Sequence, residues 1–114
     1  MNQTAREIKV YKEYFWEFYN QQLEIVQQKI DEILGVISLI ERIPAKFLKH
    51  IEGSEGLYEI RVMVGNNIFR IFSCFDKGKL IILLNGFQKK TDKTPKNEIR
   101  LPERLMKEYF TAKQ

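Results

Sequence analysis

The sequence predicts an α+β fold: a small, twisted, antiparallel-dominated β-sheet with two N-terminal helical segments and a C-terminal helix, the helices packed on one face. Three observations carry this. Apolar residues recur at alternating spacings of three and four between Leu23 and Ile40. From Leu57 onward the apolar period falls to two, punctuated by Gly65-Asn66-Asn67 and Asp76 to Lys79. Near the C-terminus Glu98, Leu101, Leu105 and Tyr109, with Met106, return to helical spacing.

Element by element, residues 7–14 alternate, with Ile8, Val10 and Lys12 on one side and Lys9, Tyr11 and Glu13 on the other, which fits a short strand. Residues 15–20 can begin a helix. Leu23, Val26, Ile30, Ile33, Ile37 and Ile40 then lay one apolar stripe along a helix of roughly residues 20–42. Gly35 inside it costs about 1 kcal/mol relative to alanine. Pro44 stops that helix or opens a short turn over residues 45–51. Leu57 to Val64 and Ile68 to Phe75 read as two strands joined by a glycine-containing turn. Leu80 to Leu84 is continuously apolar, as in a central strand covered on both faces, and continues more polar to Lys89. Pro102 interrupts the last helical pattern, so that helix is expected to begin near Leu101, with the proline in its first turn.

The 114 residues form one domain, 1–114, and 44% hydrophobic content is enough for a core. The single cysteine, Cys74, has no internal disulfide partner, which points to a reducing cytoplasm. No segment approaches the ~18 uninterrupted apolar residues of a membrane span, and Met1 to Tyr14 lacks the apolar core of a signal peptide. The net charge of +4 is unevenly placed: residues 1–85 carry 11 basic and 11 acidic residues, and residues 86–114 carry eight and four. A basic end on a neutral body suits a polyanion, or a merely solubilising surface.

Several chemistries are excluded. His50 is the only histidine, so neither a His/Cys metal cluster nor a serine triad independent of His50 can be assembled. No phosphate-binding glycine loop occurs. What remains is cationic. Arg61 and Arg70 interrupt two apolar strands, Arg61 sharing its side with Leu57, Glu59 and Met63, and Arg70 with Ile68, Phe72 and Cys74. In a meander both guanidiniums can reach one surface, where they would suit a phosphorane-like transition state. The structural alternative is a cross-strand pair with Glu59 or an exposed edge charge. At the end of the last strand Phe87 can stack on a base while Lys89 and Lys90 hold phosphates; equally, Phe87 can be core and the lysines solvated. Lys46, Lys49 and His50 are spaced to share a helix face, and His50 can act as acid or base near neutral pH.

The runs GLYEIR (residues 56–61), GNNIFRIF (65–72) and NGFQKKTDKTP (85–95) resemble the phage-derived, HigB-like branch of RelE-type toxins, over roughly residues 7–112. The resemblance implies a RelE-like fold and a protein that enters the ribosomal A site and cuts mRNA there, by attack of a ribose 2′-hydroxyl on the adjacent phosphate. It implies no metal or organic cofactor. The residues it marks as catalytic are Arg61, Arg70 and Lys89, with His50 as a looser match; Lys46, Lys49, Phe87, Lys90 and Lys93 would bind RNA. It also implies a helix-turn-helix antitoxin partner. In one respect the chain departs from the pattern. Where several relatives carry a tyrosine or histidine as candidate general base, it has Phe87 and Gln88, neither of which can take a proton. Two alternatives follow: a non-enzymatic, ParE-like gyrase inhibitor on the same fold, and a decayed homologue that only binds RNA or its antitoxin.

Overall fold

The computed structural model describes residues 5–89 and 95–113, Lys89 by its backbone alone. The chain runs β1 (Glu7–Val10), α1 (Tyr14–Asn20), α2 (Glu24–Leu39), β2 (Leu48–His50), β3 (Leu57–Val64), β4 (Asn67–Asp76), β5 (Leu80–Lys89) and α3 (Lys96–Ala112). The five strands form one sheet in the order β1-β5-β4-β3-β2. All pairs are antiparallel except β1–β5, which is parallel from Glu7↔Leu80 to Val10↔Leu83.

The helical stripe is real but shorter than its periodicity. Val26, Ile30, Ile33 and Ile37 are buried, while Leu23 and Ile40 fall just outside α2 and are exposed. The helix ends where Arg6 donates from Nη1 to the carbonyls of Ile37 (3.1 Å) and Ile40 (2.7 Å). A guanidinium here satisfies carbonyls that a helix terminus leaves open and complements the negative end of the dipole.

The sheet is covered on both sides, which corrects the one-sided packing expected from sequence. On one side α1 and α2 pack Phe15, Phe18, Val26, Ile30 and Ile37 against Ile60, Val62, Ile71, Ile81 and Leu83. On the other, α3 brings Leu105 and Tyr109 onto Leu57, Phe72, Cys74, Ile82 and Leu84. Alternate residues of β5 therefore enter different cores, the physical reason for its unbroken apolar run.

Two further expectations are corrected. Residues 48–50 are not part of a helical turn but an edge strand, pairing Leu48↔Ile60 and His50↔Tyr58. Leu48 packs against the α1–α2 core there, so tertiary burial overrides the local turn signal. The last helix starts at Lys96, not near Leu101, and Pro102 lies inside it, buried. Among the described residues no helix is long and apolar enough to cross a membrane.

Candidate functional site

The site is built on the β3–β4 hairpin. Gly65, at φ +59°, occupies the first of two turn positions, where tight hairpins favour glycine. The closing pair is Val64↔Asn67, and counting outward from it places Arg61 directly opposite Arg70. Directly opposed residues of an antiparallel pair project to the same side, with Cβ atoms ~4.5–5.5 Å apart. On the far side of Arg70 the partner is Phe87 of β5. Arg61, Arg70 and Phe87 thus form one row across three strands, each step ~4.8 Å. They lie on the side of the sheet that α3 covers further along.

Phe87 reaches this side through a β-bulge. Ile71 pairs with Gly86 and Ser73 with Leu83, so Leu84 and Asn85 together oppose Phe72. The extra residue inverts the alternation of β5 beyond it. Without it Phe87 would point into the α1–α2 core. With it, Phe87 stacks on Phe72, ring centroids 5.4 Å apart and planes 12° apart, and stays half-exposed.

The electrostatics of the row are unbalanced. Arg70 and Glu59 are each 3% exposed and form an ion pair. Among the described residues Arg61, half-buried and directly opposite, has no ion pair, and its Nε, like that of Arg70, has no hydrogen-bond partner. Like charges directly opposed on a sheet destabilise it, and a partly buried charge without a partner adds to that cost. The arrangement is therefore suited to an anion, which would relieve both. Guanidiniums bind phosphate through paired N–H donors and keep their charge at any physiological pH.

The remaining sequence candidates divide by register. Lys49 pairs with Glu59, which puts it on the arginine side, exposed. His50 pairs with Tyr58 and so points to the opposite side, its ring 5.2 Å from that of Tyr58, which in turn contacts Phe75 at 5.1 Å. The shared helix face expected for Lys46, Lys49 and His50 does not exist, because β2 alternates where a helix would align them. The sheet itself separates His50 from the arginines. Lys46 precedes β2, with its Nζ 5.0 Å from the centroid of the Phe47 ring. The Lys89 backbone pairs with Ile68, two rows beyond the arginines; Lys90 and Lys93 lie outside the described residues.

Asn85 is the residue that sequence reading missed. It is 6% exposed, and among the described residues its Oδ1 has no hydrogen-bond donor. No periodic signal marks it, since it is half of the bulge.

Residues 17–107 match the model of a family described as phage-derived protein Gp49-like. No curated protein matches the chain in sequence. Among solved structures, the fold is similar to that of a chain in the archaeal RelE–RelB complex from Pyrococcus horikoshii OT3. The TM-score is 0.53 at 20% identity, over 72% of this chain and 92% of that one.

Proposed function

From a chain that belongs to the phage-derived Gp49-like family, within the RelE/HigB-type toxins, we propose an endoribonuclease that cuts mRNA at the ribosome, its scissile phosphate seated on Arg61 and Arg70. The observation that carries this is the direct opposition of two guanidiniums, of which, among the described residues, Arg70 alone has an ion-pairing carboxylate.

The chemistry follows from the groups in reach. A ribose 2′-oxygen attacks the neighbouring phosphorus, the P–O5′ bond breaks, and a 2′,3′-cyclic phosphate and a 5′-hydroxyl result. The 2′-hydroxyl loses its proton and the departing 5′-oxygen gains one. The phosphorane between them carries more negative charge than the ground-state diester, and donors fixed before the reaction favour it selectively. Glu59 holds Arg70 in place, so its guanidinium costs little reorganisation when charge develops. With His50 across the sheet, alignment and electrostatic stabilisation supply most of the rate. Lys49 extends the cationic surface on the β3 side, and Phe87 offers a ring beside the phosphate. Lys46, Lys89, Lys90 and Lys93 complete the RNA-binding set by position in the sequence.

The same reading assigns an antitoxin partner that covers this basic surface, supported by the RelE–RelB assembly of the similar structure. It places the protein in the cytoplasm, with its ribosome and mRNA targets. The deciding experiment is primer extension on transcripts from cells expressing the chain. Cuts phased with ribosomal codons support the nuclease. Intact transcripts accompanied by DNA damage would assign the ParE-like, gyrase-directed activity instead.

A further inference from the structure

Beside the arginine row, a groove of about 430 Å³ runs between α1 and the half of β5 beyond the bulge. That is within the ~300–1,000 Å³ range of small-ligand sites. Its character differs from that of the arginine row. Four of its lining residues carry carboxamides (Gln21, Gln22, Asn85 and Gln88), one is acidic (Glu17), and none of those described is basic. Among the described residues a phosphate would find no cation there and one carboxylate. A nucleobase edge, which sets N–H donors beside acceptor atoms, is what carboxamides match, because each offers both kinds of group.

Three features make this a built site. Asn85 is nine-tenths buried, lines the groove and holds an Oδ1 that has no hydrogen-bond donor among the described residues. A buried acceptor in that state favours a ligand that brings an N–H. The floor is closely packed: a Cβ on Gly86 would come within 2.6 Å of the Phe18 ring, so α1 lies against the β5 backbone. Finally, Phe87 belongs to both places, lining the groove while pairing across the strand with Arg70. The bulge that turns Phe87 toward the arginines also sets Asn85 at the groove.

We propose that this groove is a nucleobase subsite, in which Asn85 and Gln21 select the base next to the phosphate held by Arg61 and Arg70. The inference rests on the ribonuclease reading above and adds to it a source of base preference. The strand would pass from the arginines over Phe87, whose ring can stack with the incoming base.

The test adds purified protein to a reconstituted translation system. Its mRNA carries A, C, G or U in turn at each position of the codon in the ribosomal A site, and cleavage rates are read by primer extension. The parent should prefer one base at one position by about tenfold, as expected of a paired amide–base contact. Asn85→Ala and Gln21→Ala should flatten that preference while retaining the rate at the disfavoured bases. Arg61→Ala should lower all rates alike and leave the preference intact. If Asn85→Ala fails to fold by circular dichroism, the exposed Gln21 decides alone. A parent without base preference, or variants that keep the parent's preference, overturns the subsite while leaving the nuclease standing. A parent that cuts nothing overturns the nuclease and the subsite with it.

Discussion

Arg61 and Arg70 oppose each other across the β3–β4 pair, yet among the described residues only Arg70 is ion-paired, to the equally buried Glu59. The two arginines are therefore held differently. One is held by the fold, and the other is carried at a cost that a bound anion would remove.

Substitution should separate them. Arg61→Ala removes a charge opposed to a like charge, so unfolding free energy in urea should change by less than about 1 kcal/mol. Growth arrest on expression should be lost. Arg70→Ala leaves Glu59 without this partner in a buried setting and should cost about 3–5 kcal/mol, so its loss of toxicity mixes function with folding. Replacing both Glu59 and Arg70 by methionine should recover most of that stability without restoring toxicity. Equal destabilisation by Arg61→Ala and Arg70→Ala would show that Arg61 too is structural.

Two glycines should respond with opposite signs. In α2, a Cβ on Gly35 meets nothing within 4 Å, so Gly35→Ala should stabilise by about 1 kcal/mol without altering toxicity. At Gly86 the same methyl group meets the Phe18 ring at 2.6 Å. Gly86→Ala should destabilise by about 1–3 kcal/mol, as overpacking does, and displace α1 from β5. Urea denaturation of the two variants side by side checks both.

The C-terminal end of α3 is latched by a polar contact whose pH dependence has two arms. The Tyr109 hydroxyl donates to Asp76 Oδ2 at 2.6 Å, and Lys113 pairs with the same oxygen. Hydrogen bonds from Lys113 and Tyr109 hold the Asp76 carboxyl below its ordinary range. The stability this contributes is present above the unfolded value, about 4, and is lost as pH falls through the lower folded value. Hydrogen bonding to Asp76, then burial, pushes Tyr109 up to about 12. Its contribution is present below the unfolded value, about 10, and is lost as pH rises toward the folded one. Thermal midpoints should thus decline at both extremes, and Tyr109→Phe should shrink the alkaline decline. An unchanged alkaline arm in that variant would remove Tyr109 as its cause.

Cys74 should be chemically silent in the native protein. It is 1% exposed, and burial, followed by the nearby Asp76 charge, raises its thiol to about 12. The thiolate is the reactive form, so a thiol reagent at neutral pH should label it only at the rate of unfolding. Immediate labelling in the absence of denaturant would contradict the packing of α3 on β4.

The amino-acid sequence alone placed Arg61 and Arg70 on adjoining strands of one hairpin, but not in register. Read as a three-residue turn, Gly65-Asn66-Asn67 would set Arg61 against Ile71; the structure takes Asn67 into β4, and this one-residue difference puts Arg61 opposite Arg70. The stripe of α2 and the doubly buried run of β5 were legible because burial at a regular period writes itself into residue type. Tertiary structure decided the rest. The bulge at Leu84 and Asn85 is a one-residue offset between strands with no compositional mark, yet it reverses where Phe87 points and creates the setting of Asn85. The three-residue strand β2 exists only because β3 offers an open edge, and that pairing sends His50 away from the arginines. The side of the sheet chosen by α3 depends on which apolar face α1 and α2 leave uncovered. Each of these outcomes turns on packing between distant segments, which a periodic pattern read along one segment does not record.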